Sequence, residues 1–119
     1  MELRRRRFTI DEVAHMLHTG ILRQEEGVEL LEGDVVRTSP IGKRHSCCVD
    51  RLTRILVTRV PAGTQVRVRG PVRLDHVSLP LPDLALLRGR KDGYSGGWPG
   101  PADIHLIIEV GDGANDAEL

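Results

Sequence analysis

The sequence predicts an α/β (α+β) domain in which a mixed β-sheet is flanked by helices. Two segments, after Phe8 and after Lys43, carry apolar residues at helical spacing, whereas the other apolar runs are short and separated by glycine and proline. Their order along the chain is helix, two strands, helix, three strands. With 119 residues the chain fits one domain, which we assign to residues 1–110.

The first predicted helix has clear signals at both ends. Thr9 and Glu12 have the spacing of a capping box, and Phe8 is placed to pack on Val13 as a hydrophobic staple. Gly20 is a favourable stop after the last apolar residue of the pattern.

A hairpin and a second helix follow. Apolar runs on either side of Glu32-Gly33-Asp34 predict a tight hairpin or a bulged strand pair, and residues 39–42 predict a loop. A helix is predicted from Lys43 until Pro61 ends it. Its apolar side carries His45, Val49, Leu52 and Leu56, and the opposite side carries Arg44, Arg51 and Arg54.

Three strands complete the predicted sheet. The first is typical of a half-buried antiparallel strand, with one apolar face of Val66, Val68, Val72 and Leu74 and one face of Arg67, Arg69 and Arg73. Residues 84–87 predict a central strand, and residues 89–101 a long surface loop of the kind that is often functional. In the last strand, residues 103–110, we expect Ile104, Leu106, Ile108 and Val110 to face the core. Residues 111–119 are expected to form a frayed tail.

Charge is balanced overall but unevenly distributed. The formal net charge is +0, which argues against a protein that binds polyanions over its whole surface. Residues 43–73 contain eight basic residues and one acid, whereas residues 103–119 contain five acids and no lysine or arginine. This division is suited to a basic face for phosphate and an acidic site for a metal ion, although two solvated surfaces of opposite sign would look the same.

The cysteines and the N-terminus exclude other classes of protein. Cys47 and Cys48 are adjacent and lack the Cys/His spacing of a zinc site, so we expect two reduced thiols. Arginines at residues 4–7 are not followed by the apolar segment of a signal peptide, and no stretch is long enough to span a membrane. We therefore expect a cytoplasmic protein that is not bound to a membrane.

Two acids stand at the ends of the last two predicted strands. Asp83 precedes one strand, and Glu109 lies near the end of the next. Singly, an aspartate after a proline is typical of a turn, and a glutamate at a strand exit is typical of a solvated surface. As a pair without an obvious cationic partner nearby in the sequence, they are suited to Mg²⁺ or Mn²⁺, which prefer oxygen ligands.

Several segments occur in the order and spacing of a known family. They are Arg7-Phe8-Thr9, the ELLEGDVV run at residues 29–36, the SPIG run at residues 39–42 with His45, Pro71-Val72-Arg73-Leu74, Pro82-Asp83-Leu84-Ala85-Leu86 and Ile108-Glu109-Val110. Together they resemble the Uma-type restriction endonuclease family, a branch of the PD-(D/E)XK nuclease superfamily. The resemblance extends from Phe8 to Val110, and several motifs in register make it more specific than a short Pro-Asp…Glu signature.

The resemblance implies a restriction-endonuclease-like fold and metal-dependent hydrolysis of phosphodiester bonds in DNA. Asp83 and Glu109 would be the catalytic acids and would bind Mg²⁺ or Mn²⁺ together with the backbone carbonyl of Val110. Glu29 is a candidate for a further carboxylate. His45 is a candidate accessory residue, with a satisfied core histidine as the alternative.

The resemblance also suggests how nucleic acid would be held. Arg67, Arg69 and Arg73, with the exposed arginines of the second helix, would position the nucleic-acid backbone. A solvated arginine face is the alternative interpretation of the same pattern.

Two departures from the family leave activity open. Gly111 stands where a simple motif has its catalytic lysine, and no lysine follows Lys91, which lies in the glycine-rich loop. Family members continue through a lysine-bearing helix and further strands, so we expect the fold to lack its last elements and to expose a sheet edge.

Three hypotheses follow from these features. The chain is a metal-dependent endonuclease or an inactive truncated relative of one. Alternatively, it is a non-catalytic module that binds nucleic acid or protein and self-associates as a homodimer or a larger assembly through the exposed edge. The third hypothesis is a degraded gene product without a selected role.

Overall fold

A computed structural model describes residues 1–38 and 42–111 of the chain. The elements are α1 (Ile10–Thr19), β1 (Val28–Leu31), β2 (Asp34–Arg37), α2 (Lys43–Arg59), β3 (Thr64–Val68), β4 (Leu84–Arg88) and β5 (Ile104–Ile108). This is the predicted order of helix, two strands, helix and three strands, and the α+β class is confirmed. Of the loop predicted at residues 39–42 and the tail predicted at residues 111–119, residues 39–41 and 112–119 lie outside the described residues.

Helix α1 begins and ends where its capping signals predict. The Thr9 side chain accepts a hydrogen bond from the Glu12 N–H, and the Glu12 carboxylate accepts one from the Thr9 N–H. Gly20 follows the last turn with φ 85°. The buried side of the helix, Ile10 and Val13, packs on Leu30 of β1, and these residues form a small hydrophobic core.

Strands β1 and β2 form a hairpin closed by Glu32 and Gly33. Both residues have positive φ, 49° and 86°, as a two-residue type I′ turn requires. A Cβ at position 33 would lie 2.6 Å from the Cβ of Arg7, so glycine is needed there for space as well as conformation. Of the two predicted forms, the structure has the tight hairpin.

The described strands form two antiparallel sheets, whereas the sequence predicted one mixed sheet. One sheet is the β1–β2 hairpin, and the other has the order β3-β4-β5. Backbone hydrogen bonds of 3.3 and 2.7 Å between Leu30 and Leu79 tie the hairpin to the segment that leads into β4. Strand β4 lies in the middle, and its Leu84, Ala85 and Leu87 are fully buried, as a central strand predicts.

Strand β3 is shorter than predicted. It ends at Val68, because Arg69 has φ 50° and cannot continue an extended strand. Val68 is 46% exposed, whereas Arg67 and Arg69 are half-buried. The predicted division into an apolar inner face and an arginine outer face is therefore wrong at this end of the strand.

Strand β5 is the edge of its sheet within the described residues. It pairs with β4 on one side, and Leu106 and Ile107 on its two faces are 48% and 36% exposed. Ile104 and Ile108 are half-buried. The predicted burial of Leu106 is wrong, because nothing in the described part of the chain covers that face.

Helix α2 presents the predicted faces. Val49 is buried, His45, Leu52 and Leu56 are half-buried, and Arg44, Arg51 and Arg54 are exposed. The helix contacts β3 and so brings His45 towards the start of β4. Among residues 1–38 and 42–111, neither helix has the length and apolarity that crossing a bilayer requires.

Candidate active site

Asp83 is fixed in place from two directions. It immediately precedes β4 and is 5% exposed. Its backbone carbonyl accepts a hydrogen bond from the Arg69 N–H at 3.1 Å. Its Oδ2 accepts a hydrogen bond at 2.8 Å from the Val110 N–H, which follows Glu109 beyond the end of β5. The structure therefore brings together the two strand ends that carry the predicted acids.

Two side chains from other elements contact the Asp83 carboxylate. Nε2 of His45, in the first turn of α2, lies 3.1 Å from Oδ2, and a guanidinium nitrogen of Arg69 lies 3.6 Å from Oδ1. Nδ1 of His45 is buried and has no hydrogen-bond partner in the described part of the chain. The cationic partner missed in the sequence is Arg69, which a separate segment supplies.

Glu109 is exposed as a residue, yet its carboxyl is crowded by other acids. Partial burial is the largest cause that raises the pKa of Glu109, and the negative charge of Asp83 and a hydrogen bond to it raise this pKa further. The charge of Glu29 acts in the same direction, whereas Arg69 opposes it. Concentrated negative charge of this kind favours a cation or a proton.

Glu29 links β1 to the segment that precedes Asp83. Its Oε1 accepts a hydrogen bond at 2.7 Å from the Leu81 N–H. The side chain is half-buried, and one of its oxygens is therefore occupied by the backbone. Its negative charge also raises the pKa of Glu109.

The other predicted basic residues lie apart from the acids. Arg67 lies over the ring of Trp98, 5.7 Å from its centroid. Arg73 is exposed, and its backbone N–H donates to the Pro99 carbonyl at 2.8 Å. In the described residues, the basic side chains that contact Asp83 are those of Arg69 and His45 rather than Lys43 or Lys91.

The donor set suits a hard divalent cation. Asp83 and Glu109 present carboxylate oxygens, and burial and then the charge of Asp83 raise the pKa of Glu109, both of which a bound cation would offset. Three ligating His, Cys, Asp or Glu side chains do not converge within the described residues. Two carboxylates supplemented by a backbone carbonyl and water match the way proteins hold Mg²⁺. The residues present therefore fit the metal that the resemblance implies.

The crowding of acids predicts a pH-dependent effect on stability. A raised native pKa means that folding stability falls as pH rises from the ordinary range of a glutamate to the native value of Glu109. We expect Glu109→Gln to raise the melting temperature near neutral pH in EDTA and to have no such effect in acid, where the carboxyl is protonated. Glu25→Gln, at an exposed position, is the control and should leave the melting temperature unchanged both near neutral pH and in acid. A drop in melting temperature at neutral pH for Glu109→Gln would contradict the crowding.

Comparison with known proteins supports the pattern of motifs. A family model described as Uma2, putative restriction endonuclease, matches residues 11–119. Neither a curated protein nor a solved structure matches the chain. The matched residues run from the second residue of α1 through β5 and include both acids, His45 and Arg69. The family that the sequence motifs resemble is thereby confirmed, and the chain belongs to the Uma2 family of putative restriction endonucleases.

Proposed function

We propose that the protein is a metal-dependent endonuclease that hydrolyses phosphodiester bonds in DNA. The observation that carries the proposal is the approach of Asp83 to the end of β5 beside Glu109, with Arg69 against the same carboxylate. Carboxylates bind a hard cation, and a guanidinium binds phosphate oxygens. The acids therefore suit the metal ion, and the arginine suits the phosphate that the ion contacts. The description of the family supports the same reaction class.

Each residue has a separate task in this proposal. Asp83, Glu109 and the Val110 carbonyl would hold Mg²⁺ or Mn²⁺, and such an ion supplies an activated water and neutralises charge on the phosphate. His45 and the Val110 N–H are positioning groups, because both contact Oδ2 of Asp83 and so fix its rotamer. Glu29 fixes the backbone at Leu81, just before the catalytic acid.

Arg69 would supply the positive charge that the family resemblance assigns to a lysine. It lies 3.6 Å from Asp83 Oδ1 and is one-third exposed, so a phosphate that enters the site can still reach its guanidinium. Its backbone N–H is anchored to the Asp83 carbonyl, which limits how far the arginine can move away. Arg73 and the exposed arginines of α2 would contact the flanking backbone.

A second candidate function is a non-catalytic module that self-associates. Strand β5 favours it, because among residues 1–38 and 42–111 this strand pairs with β4 alone and carries the exposed Leu106 and Ile107. An open edge strand pairs readily with another strand. In either case the exposed, unpaired Cys47 and Cys48 suit a reducing compartment such as the cytoplasm.

Calorimetry with Mn²⁺, followed by incubation with supercoiled plasmid, tests the proposed function. We expect the purified protein to bind Mn²⁺ and to nick the plasmid, and EDTA to stop the reaction. Absence of metal binding would refute the ion site. Metal binding without cleavage would favour the non-catalytic module instead.

A further inference from the structure

An apolar pocket lies next to Arg69, between the α1–hairpin unit and the chain before β4. Its volume is about 320 Å³, which is near the lower end for sites that bind small organic groups. Its walls are aliphatic, and Leu17, Val28, Leu30, Leu79 and Leu81 are among the lining residues. Arg69 and Trp98 also line it, so the pocket shares a residue with the candidate active site.

Trp98 gives this pocket an aromatic surface. It lies in the glycine-rich loop predicted to be functional, and it is 44% exposed. The guanidinium of Arg67 lies 5.7 Å from the centroid of its ring, which holds the indole in place by a cation–π contact. An exposed tryptophan supported by arginine is the arrangement on which nucleobases stack in proteins that bind single strands.

Arg67 also has a donor that the protein leaves unused. Its Nη1 is buried and has no hydrogen-bond partner among residues 1–38 and 42–111. Buried guanidinium donors are normally satisfied, because an unpaired one costs free energy. Because this nitrogen is buried, an acceptor on a ligand would reach it only after the guanidinium turned outward.

Gly70 makes room for this arrangement. A Cβ at position 70 would lie 1.9 Å from Nε and 2.6 Å from Cδ of Arg67. Any side chain there would displace the guanidinium from its place beside Trp98, while the charge of the protein stayed the same.

We propose that the pocket binds one unpaired nucleobase, stacked on Trp98, of the nucleic acid whose phosphodiester lies at Asp83. The substrate class is then a single strand or a locally opened duplex, because the bases of an intact duplex are stacked inside it and cannot enter a pocket. Arg67 holds the indole on which the base stacks, and Arg69 contacts the adjoining phosphate. The phosphate contact rests on the proposed function, whereas binding of the base requires no metal.

Fluorescence of the single tryptophan tests this directly. In EDTA, a short oligothymidylate should quench Trp98 emission, whereas an abasic strand of the same length and a matched duplex should quench it far less. By anisotropy of a labelled strand, Trp98→Leu should weaken binding of the oligothymidylate by about tenfold and leave duplex binding unchanged. Equal quenching by strand and duplex, or equal affinity for the abasic strand, would overturn the proposal.

Two further variants test whether weaker binding comes from the pocket rather than from a loss of charge or of folding. Gly70→Ala and Arg67→Gln should weaken binding of the oligothymidylate more than binding of the abasic strand. Arg59→Gln, which removes an exposed charge at the end of α2, should affect both strands alike. Cleavage of DNA without any effect of Trp98→Leu on strand affinity would refute the pocket alone, whereas base binding without metal-dependent cleavage would refute the proposed function alone.

Discussion

Asp83→Asn is expected to lower metal-dependent cleavage by about a thousandfold or more, and to weaken Mn²⁺ binding by at least about a hundredfold. The substitution removes the negative charge from the most buried acid of the site, which is 5% exposed. An asparagine oxygen can still accept the hydrogen bond from the Val110 N–H, so the end of β5 should stay in place. The effect is therefore on charge and metal affinity rather than on the fold.

Asparagine is a sharper test than alanine at this position. Asp83→Ala would leave the Val110 N–H, His45 and Arg69 without their common partner, and a loss of activity could then follow from local unfolding. Asp75→Asn is the matched control, because Asp75 also accepts a backbone hydrogen bond, from the Val77 N–H at 2.9 Å, but lies in an exposed turn.

Plasmid nicking rates and Mn²⁺ calorimetry for the two variants decide the outcome. The circular dichroism spectrum of each variant should match that of the parent protein. Unchanged Mn²⁺ affinity in Asp83→Asn would show that the ion binds elsewhere. Equal losses of activity in Asp83→Asn and Asp75→Asn would show that Asp83 has no specific role in cleavage.

Features set by short-range chemistry were predictable from the sequence. The capping box of Thr9 and Glu12, the stop at Gly20 and the turn at Gly33 each depend on residues within a few positions, and the structure has all three. The pairing of Asp83 with the strand that ends near Glu109 followed from the order of the motifs. Local sequence signals and the spacing of the motifs were therefore enough to predict which two strand ends meet at the candidate site.

Features set by tertiary neighbours were not predictable in the same way. The apolar alternation of β5 predicts a buried face, but burial depends on whether another element covers it, and Leu106 is 48% exposed. Likewise, the alternation of arginine and valine in β3 cannot reveal that Arg69 leaves the strand with φ 50° and turns to Asp83. Its role in the site depends on a contact between residues in separate segments.

Arg69→Gln is expected to lower the cleavage rate by roughly a hundred- to a thousandfold, as loss of a preorganised electrostatic group at a transition state does. Arg69→Lys should recover part of that rate, because it restores the charge without the two-pronged geometry of the guanidinium. Both replacements occupy the same positive-φ position without glycine, so backbone strain is matched between them. The exposed Arg59→Gln controls for the general loss of one positive charge.

Metal affinity separates this role from that of the acids. Arg69 lies 3.6 Å from Asp83 and lowers the pKa of Glu109, so it competes with a cation for the same negative charge. Removing it should leave Mn²⁺ binding as tight as before or tighter while the cleavage rate at saturating metal falls. In Asp83→Asn, by contrast, Mn²⁺ binding and the rate both fall. If Mn²⁺ binding and the cleavage rate fell together in Arg69→Gln, the arginine would be a structural brace for Asp83. A loss of cleavage rate without a loss of Mn²⁺ affinity would instead indicate that the charge of Arg69 acts on the phosphate.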